Sequence, residues 1–175
     1  YWRGREQAEL NSRAKTKCGW EIMLSEKIKL MSQSRGWWYD DITQEYSDAL
    51  LSLGIDLSSD FAQFYLHVED WATFHSRNHE IYQICWFVIN SSYQLDLKRT
   101  HEILKIPNEY IPLDGFQNEG GYFYNKKTGE VLFINVGDAL TKFLQGELKP
   151  QWVDFNSFIE WFFDLDKWMK YAGNH

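Results

Sequence analysis

Residues 110–135 decide the fold of this chain. They read Tyr-Ile-Pro-Leu-Asp-Gly-Phe-Gln-Asn-Glu-Gly-Gly-Tyr-Phe-Tyr-Asn-Lys-Lys-Thr-Gly-Glu-Val-Leu-Phe-Ile-Asn. Two apolar runs, 122–124 and 131–134, flank the polar segment Asn125-Lys-Lys-Thr-Gly129. Aromatic and β-branched residues favour strands, and a glycine supplies the positive φ that follows a type I turn. The stretch therefore predicts a β-hairpin.

The length of the turn sets the register of this hairpin. A four-residue loop over 126–129 places Tyr124 opposite Val131 and Tyr122 opposite Phe133. The opposite face of the two strands then carries Phe123, Leu132 and Ile134. Both faces are apolar, which predicts a sheet that is covered on both sides. A glycine bulge would shift this register by one residue, so no function is inferred from it.

The segments around the hairpin predict further elements. The stretch 111–113 reads as a short edge strand, because Pro112 cannot donate to a ladder. Residues 152–171 predict a long final helix with one wide apolar stripe. Residues 72–74 and the apolar run 81–89 read as strands.

Helix ends are also marked in the sequence. Asp40 is a candidate N-cap for a helix that Gly54 ends, and Ser58 or Ser59 is a candidate N-cap for a short helix that follows. Gly137 begins a further short helix or turn, which ends near Gly146. Together these elements predict an α+β fold with a central, mostly antiparallel sheet and flanking helices.

Composition limits the classes of function. The 175 residues favour one domain, and 44% of them are hydrophobic, which is enough for a core. The net charge of −7 disfavours binding to nucleic-acid phosphates or anionic lipid and favours cationic partners. No apolar run reaches the roughly 18 residues that span a bilayer, and residues 1–20 do not resemble a signal peptide. Cys18 and Cys85 form no CxxC motif and are expected to be reduced, in a cytoplasmic protein.

Residues 1–22 differ from the rest of the chain. They carry a net charge of +2, which leaves −9 for residues 23–175. Met23 would make an ordinary start for a chain. We interpret residues 1–22 as a helical extension, or as a segment foreign to the domain or derived from a partner, and 23–175 as a single domain. A native, solvated helix is the alternative.

Four segments in this order resemble one known family. Leu-Gly-Ile-Asp-Leu-Ser-Ser-Asp-Phe-Ala-Gln-Phe-Tyr (53–65) follows a helix, and Ile-Pro-Asn-Glu-Tyr-Ile-Pro-Leu (106–113) precedes the Gly-Gly-Tyr-Phe-Tyr-Asn-Lys-Lys-Thr-Gly-Glu-Val hairpin (120–131). Phe-Asn-Ser-Phe-Ile-Glu-Trp-Phe (155–162) comes last. Over residues 40 to 170 the chain resembles the SUKH superfamily of immunity proteins. It departs from that pattern at Ser58-Ser59 and at 67–71.

The resemblance implies a fold and a function. The fold is a mixed α+β domain with a central, largely antiparallel sheet. The function is to bind and neutralise a cognate toxin, often a nuclease, in polymorphic or contact-dependent bacterial toxin systems. Some fungal relatives act instead in cell-wall signalling. We therefore expect an immunity protein that acts by stoichiometric binding, without catalysis.

Candidate chemical motifs have simpler explanations. His75 and His79 have the i, i+4 spacing of a helical metal site, but no third ligand is evident, and two solvated loop residues explain them better. Cys85 reads as an inert thiol in an apolar strand. The glycine-rich segment 115–121 lacks the Lys-Ser/Thr of a phosphate loop and reads as a turn. We expect no metal, no cofactor and no catalytic residue.

The candidate binding surface is acidic. Carboxylates cluster at 40–41, 69–70 and 164–166, and a solvated acidic surface is the alternative for each cluster. As a face for a basic toxin, acidic residues in loops and at helix ends would speed association and select the partner. Trp37, Trp38, Tyr39 and Trp71 read as core by default, and each tryptophan in a loop is the alternative candidate for an interface anchor. The expected toxin-binding residues are Asp40, Asp41, Glu69, Asp70, Trp71, Glu119 and Asp138.

Two other hypotheses stay open at this point. One is a non-catalytic interaction or signalling scaffold without a toxin. The other is an enzyme, which a histidine pair or convergent perturbed carboxylates in a deep pocket would favour. A toxin-like reading frame directly upstream would favour the immunity function.

Overall fold

Helices and antiparallel strands share the chain in an α+β arrangement, which confirms the expected fold class. The computed structural model describes residues 23–172. The α-helices in that range are α1 (Glu26–Ser34), α2 (Gln44–Ser52), α3 (Asp60–His67), α4 (Ile84–Asn90), α5 (Tyr93–Lys98), α6 (Asp138–Leu144), α7 (Phe155–Phe162) and α8 (Leu165–Ala172), and a π-helix (Arg99–Ile103) and a 3-10 helix (Gln117–Glu119) add to them. The strands are β1 (Thr73–Ser76), β2 (His79–Tyr82), β3 (Tyr110–Pro112), β4 (Gly120–Asn125) and β5 (Val131–Asn135).

The central sheet has the strand order β3-β4-β5, and both pairs are antiparallel. Tyr124 pairs with Val131 and Tyr122 with Phe133, so the predicted hairpin and its register are confirmed. The loop is held by the side chain of Asn125, whose Oδ1 accepts from the amides of residues 127 and 128. The strand β3 lies at the edge, where the missing amide of Pro112 costs no ladder bond.

Both faces of this sheet are covered, as the apolar pattern predicted. On one face Tyr122 and Tyr124 join the main core, where the Tyr122 ring lies 5.0 Å from the ring of Phe158 in α7. On the other face Phe123, Leu132 and Ile134 form a second buried cluster, which includes Leu104 and Ile106. The hairpin is therefore the layer shared by two cores.

The apolar run 81–89 is not one strand, so that prediction was wrong. The strand β2 ends at Tyr82, and α4 begins at Ile84. Gln83 causes the change, because its Oε1 accepts from the amide of Cys85 while its Nε2 donates to two backbone carbonyls of the α3 segment. Ile84 and Cys85 are buried, whereas Ile89 is exposed. A short apolar run does not distinguish a strand from a helix of which one face is buried.

The predicted final helix is two helices. α7 ends at Phe162, and Asp164 adopts a left-handed conformation with φ +54° before α8 begins. Aspartate tolerates that conformation better than most residues, so the apolar stripe continued without a visible break in the sequence. The turn also lets Lys27 of α1 reach Asp166 of α8 at 3.0 Å.

The helix caps agree with the sequence in two places and differ in one. Thr43, not Asp40, caps α2, because the Thr43 side chain accepts from the amide of Tyr46. Gly54 ends α2 with φ +76°, and Ser59 caps α3, both as predicted. The Asp40 carboxylate instead accepts from the indole of Trp38 at 2.9 Å.

Asp60 joins two helix N-termini. Its Oδ1 accepts from the amide of Phe61 at the start of α3, and its Oδ2 accepts from the amide of Asn156 at the start of α7. The side chain is buried, and burial raises its pKa to about 6. The three hydrogen bonds from Phe61, Asn156 and Phe155 oppose that rise.

Some sequence predictions fall outside the described residues. They are the separate character of residues 1–22 and the state of Cys18. Within residues 23–172 no helix combines the length and the apolar character needed to cross a membrane.

Candidate functional site

A groove of about 1140 Å³ opens beside the N-terminal half of the fold. One wall is the segment between α1 and α2, another is the segment between α3 and β1, and α4 adds one residue. Its aromatic lining consists of Trp37, Trp38, Tyr39, Trp71 and Trp86.

Backbone hydrogen bonds hold the two walls together. The amide of Tyr39 donates to the carbonyl of His67 at 2.8 Å, and the amide of Glu69 donates to the carbonyl of Trp37 at 3.0 Å. The segments thus run antiparallel, with Trp38 bridged to Val68. This pairing fixes the aromatic side chains of the groove on ordered backbone.

Trp38 is held on several sides. Its ring stacks on the imidazole of His67 with centroids 4.6 Å apart, and its Nε1 donates to Asp40. The ammonium of Lys29 lies 5.2 Å from the centre of the same ring. The indole of Trp38 is therefore a rigid part of the wall.

The ring of Trp37 already contacts a cation of the same chain. The guanidinium of Arg35 lies 4.9 Å from the ring centre of Trp37 and 5.5 Å from that of Phe163. Burial lowers the pKa of Arg35, and the negative charge of Asp70 acts in the opposite direction. The groove can thus accept a guanidinium against an indole and near a carboxylate.

Trp71 differs from its neighbours in the groove. Its side chain is 88% exposed, and its φ of +57° lies in the left-handed region. A bulky residue in that region is unusual, and strained residues of this kind cluster at functional sites. The bridge between Asp70 and Ala72 on either side fixes the loop that presents it. An exposed indole on a fixed loop has the form of an interface anchor.

The carboxylates of the groove fall into two groups. Asp40 and Asp41 are exposed and Asp70 is half-buried, as expected for a face that meets a charged partner. Glu69 is only 8% exposed and accepts a hydrogen bond from the hydroxyl of Tyr46. The expectation that Glu69 lies on a solvated loop surface was therefore wrong, because its side chain turns inward between the walls.

Two of the seven expected residues lie elsewhere. Glu119 ends the turn before β4, where its carbonyl accepts from the amide of Val136. Asp138 begins α6 and pairs with Lys142 at 3.0 Å. The structure thus brings five of the expected residues together in the groove and leaves these two outside it.

A second, polar cleft of about 560 Å³ lies between the β1–β2 hairpin and the loop before β4. His79 Nε2 lies 2.7 Å from Asp114 Oδ2, and the buried Asp114 carboxylate also accepts from the amides of Phe116 and Tyr122. His75 lines the same cleft and lies 3.5 Å from Glu80. The two histidines lie in paired strands, so the predicted loop was wrong, whereas His75 is exposed to solvent as predicted.

Only part of the signal for these sites is present in the sequence. Trp86 lies in the apolar run that predicts a strand. The one signal for Asp114 is the Asp-Gly pair after Pro-Leu, which marks a turn whose carboxylate can bind loop amides. Among residues 23–172 no three or more histidine, cysteine or acidic side chains are grouped closely enough to hold a metal ion.

Comparisons of the chain with protein-family models, with curated proteins and with solved structures found no match. Its function is therefore inferred from the groove, the cleft and the charge of the chain.

Proposed function

We propose that this protein is an immunity protein, which neutralises a basic bacterial toxin by stoichiometric binding at the groove and without catalysis. One observation carries the proposal. The exposed indole of Trp71 lines the same groove as the exposed carboxylates of Asp40 and Asp41 and the carboxylate of Asp70. The resemblance of residues 40–170 to SUKH immunity proteins supports the biological setting.

The chemistry of the groove favours a protein partner. Tryptophan and tyrosine are enriched among the residues that dominate binding energy at protein interfaces. The surrounding carboxylates and the net charge of −7 disfavour a nucleic acid, because its phosphates would be repelled. A cationic protein surface gains from both features.

A nuclease fits this description of the partner. Its substrate is a polyanion, so the surface that binds the substrate carries positive charge. An acidic protein that covers such a surface blocks access to the substrate. Inhibition then needs only a stable complex and no chemical step.

The direct test pairs the protein with its cognate toxin, which would be sought as a toxin-like reading frame directly upstream. Titration calorimetry should give a one-to-one complex, and the complex should suppress the toxin's activity. Because interface anchors contribute heavily, Trp71→Ala should weaken binding by about tenfold or more. Tyr171→Ala is the matched control, since Tyr171 is also exposed and lies outside the groove.

Two outcomes would contradict the proposal. One is no binding by the wild type. The other is equal affinity of Trp71→Ala and Tyr171→Ala, which would place the interface elsewhere. Tight one-to-one binding of a basic protein that has no toxic activity would transfer the function to an interaction scaffold.

The polar cleft gives a second candidate function, that of an enzyme. The buried Asp114 accepts from His79, an arrangement that orients an imidazole for proton transfer, and His75 lies in the same cleft. If this function is how the protein suppresses the toxin, His79→Gln should abolish the suppression of toxin activity and leave the affinity for the toxin unchanged. The immunity proposal predicts that His79→Gln suppresses the toxin as fully as the wild type does.

A further inference from the structure

We infer that the groove binds an arginine side chain of the partner in preference to a lysine side chain. The inference rests on the proposal that the groove is the binding surface, and it names the chemical group that this surface recognises. Its basis is the arrangement of aromatic planes and carboxylates in the groove.

Trp71 and Asp70 supply two complementary contacts. The indole of Trp71 is 88% exposed, so its faces are accessible to a ligand. The carboxylate of Asp70 belongs to the preceding residue and lines the same groove. A guanidinium is planar and can stack on an indole while its N–H groups donate to a carboxylate. A lysine ammonium is a compact point charge and makes the stacking contact poorly.

The groove already contains an example of this contact. Arg35 places its guanidinium over Trp37 at 4.9 Å and over Phe163 at 5.5 Å, and the charge of Asp70 acts on it. The protein therefore already places a guanidinium against aromatic rings at this place. A second guanidinium on Trp71 would repeat the same chemistry on the outer side.

The charge balance of the groove leaves room for an added cation. Four carboxylates line it, and Arg35 is the cation among its lining residues in the described part of the chain. Arginine is also more weakly hydrated than lysine, so less hydration free energy is lost when it enters an aromatic groove. The charge balance favours a cation over an anion, and the weaker hydration of arginine favours a guanidinium over an ammonium.

The test uses small probes, so that it does not depend on a toxin. N-acetyl-arginine amide, N-acetyl-lysine amide and N-acetyl-citrulline amide are titrated into the ¹⁵N-labelled full-length protein. The indole N–H signal of Trp71, assigned from its loss in Trp71→Phe, reports binding. Trp161 is the internal control, because it lies outside the groove and the guanidinium of Arg77 already lies 4.2 Å from its ring centre.

The expected result is a saturable shift of the Trp71 signal with the arginine probe, with an affinity about fivefold or more above that of the lysine probe. The uncharged citrulline probe should give no shift, and the Trp161 signal should not move. Asp70→Asn should weaken arginine binding. Equal shifts with arginine and lysine, equal shifts at Trp71 and Trp161, or no shift at all would each overturn the inference.

The two proposals can fail separately. If the arginine probe binds at Trp71 while the toxin complex is insensitive to Trp71→Ala, the proposed function fails and the preference of the groove for arginine survives without this partner. If the toxin complex needs Trp71 while the probes show no preference for arginine, the inference fails alone.

Discussion

At the scale of single residues, Trp71 is expected to favour binding of the partner at a cost to the stability of the fold. Its positive φ is costly for a side chain and suits glycine, and its 88% exposure means that removing the indole loses little burial. We expect Trp71→Gly to keep the free energy of unfolding within about 1 kcal/mol of the wild type, or to raise it. The same variant should lose affinity for the partner. Urea denaturation and calorimetry measure the two effects, and a fall well beyond that range would mean that Trp71 supports the fold.

Glu69 and Asp70 are neighbours in sequence with opposite environments. Glu69 is 8% exposed and bonded to Tyr46, whereas Asp70 is only half-buried. Reversing a buried charge should cost about 3 kcal/mol or more, so Glu69→Lys should lower the melting temperature strongly. Asp70→Lys should change it by only a few degrees. Thermal melts followed by circular dichroism compare the pair, and similar losses would contradict the assigned burial. No pattern in the sequence separates the two residues, since the inward turn of Glu69 depends on a tyrosine 23 positions away.

Asp60 should give stability a recognisable pH dependence. Burial raises its pKa to about 6 in the folded protein, above the ordinary value of 3.8. The folded state therefore takes up a proton between about pH 6 and 4 that the unfolded chain does not bind, so this residue makes the protein more stable as the pH falls through that window. Asp60→Asn removes this component. The difference in unfolding free energy between wild type and variant, measured in urea from pH 4 to 7, should therefore change with pH. A constant difference would refute the raised pKa.

At the scale of elements, the sequence was informative where local and long-range requirements agreed. Residues 122–124 and 131–134 are suited to strands, their turn has a glycine at positive φ, and both faces find cores, so the hairpin and its register were predictable. Residues 84–89 have the same apolar composition, but Gln83 directs them into a helix through contacts with α3. That information lies in the tertiary contacts and not in the run itself.

The turn before β4 depends on a close backbone approach at Gly121. A Cβ at this position would lie 2.4 Å from Asp114 Oδ1. Asp114 cannot move easily, because its carboxylate accepts from the amides of Phe116 and Tyr122 and from His79. Gly121→Ala should therefore lower the free energy of unfolding by about 2 kcal/mol or more.

Gly36→Ala is the control, since a Cβ there meets no atom within 4 Å. At Gly36 only the strain of φ +73° remains, a cost of about 1 kcal/mol. Equal losses in denaturant melts would show that the approach is not tight.

At the scale of the whole molecule, the charge of the chain could be predicted and the location of its binding surface could not. Five of the seven expected residues meet in one groove only because the segment after α1 pairs with the segment after α3. Those segments are 28 residues apart at the bond between His67 and Tyr39, and neither contains a motif for the other. The acidity of the chain therefore indicates the kind of partner, while the fold determines which carboxylates the partner meets.

The kinetics of association test whether this acidity acts at the groove. The net charge of −7 should attract a basic partner over long range, so the association rate should fall steeply with salt, as screening shortens to roughly 8 Å at 0.15 M. The double variant Asp40→Lys and Asp70→Lys should slow association and flatten its salt dependence, while the dissociation rate changes less, because the aromatic contacts remain.

The matched control reverses Glu147 and Glu102, which are exposed and outside the groove, and so changes the net charge equally. Stopped-flow mixing with the cognate toxin measures both rates. A larger effect of the groove variant places the electrostatic attraction at the groove. Equal effects would assign it to the net charge alone, and an association rate independent of salt would remove electrostatic attraction from the binding mechanism.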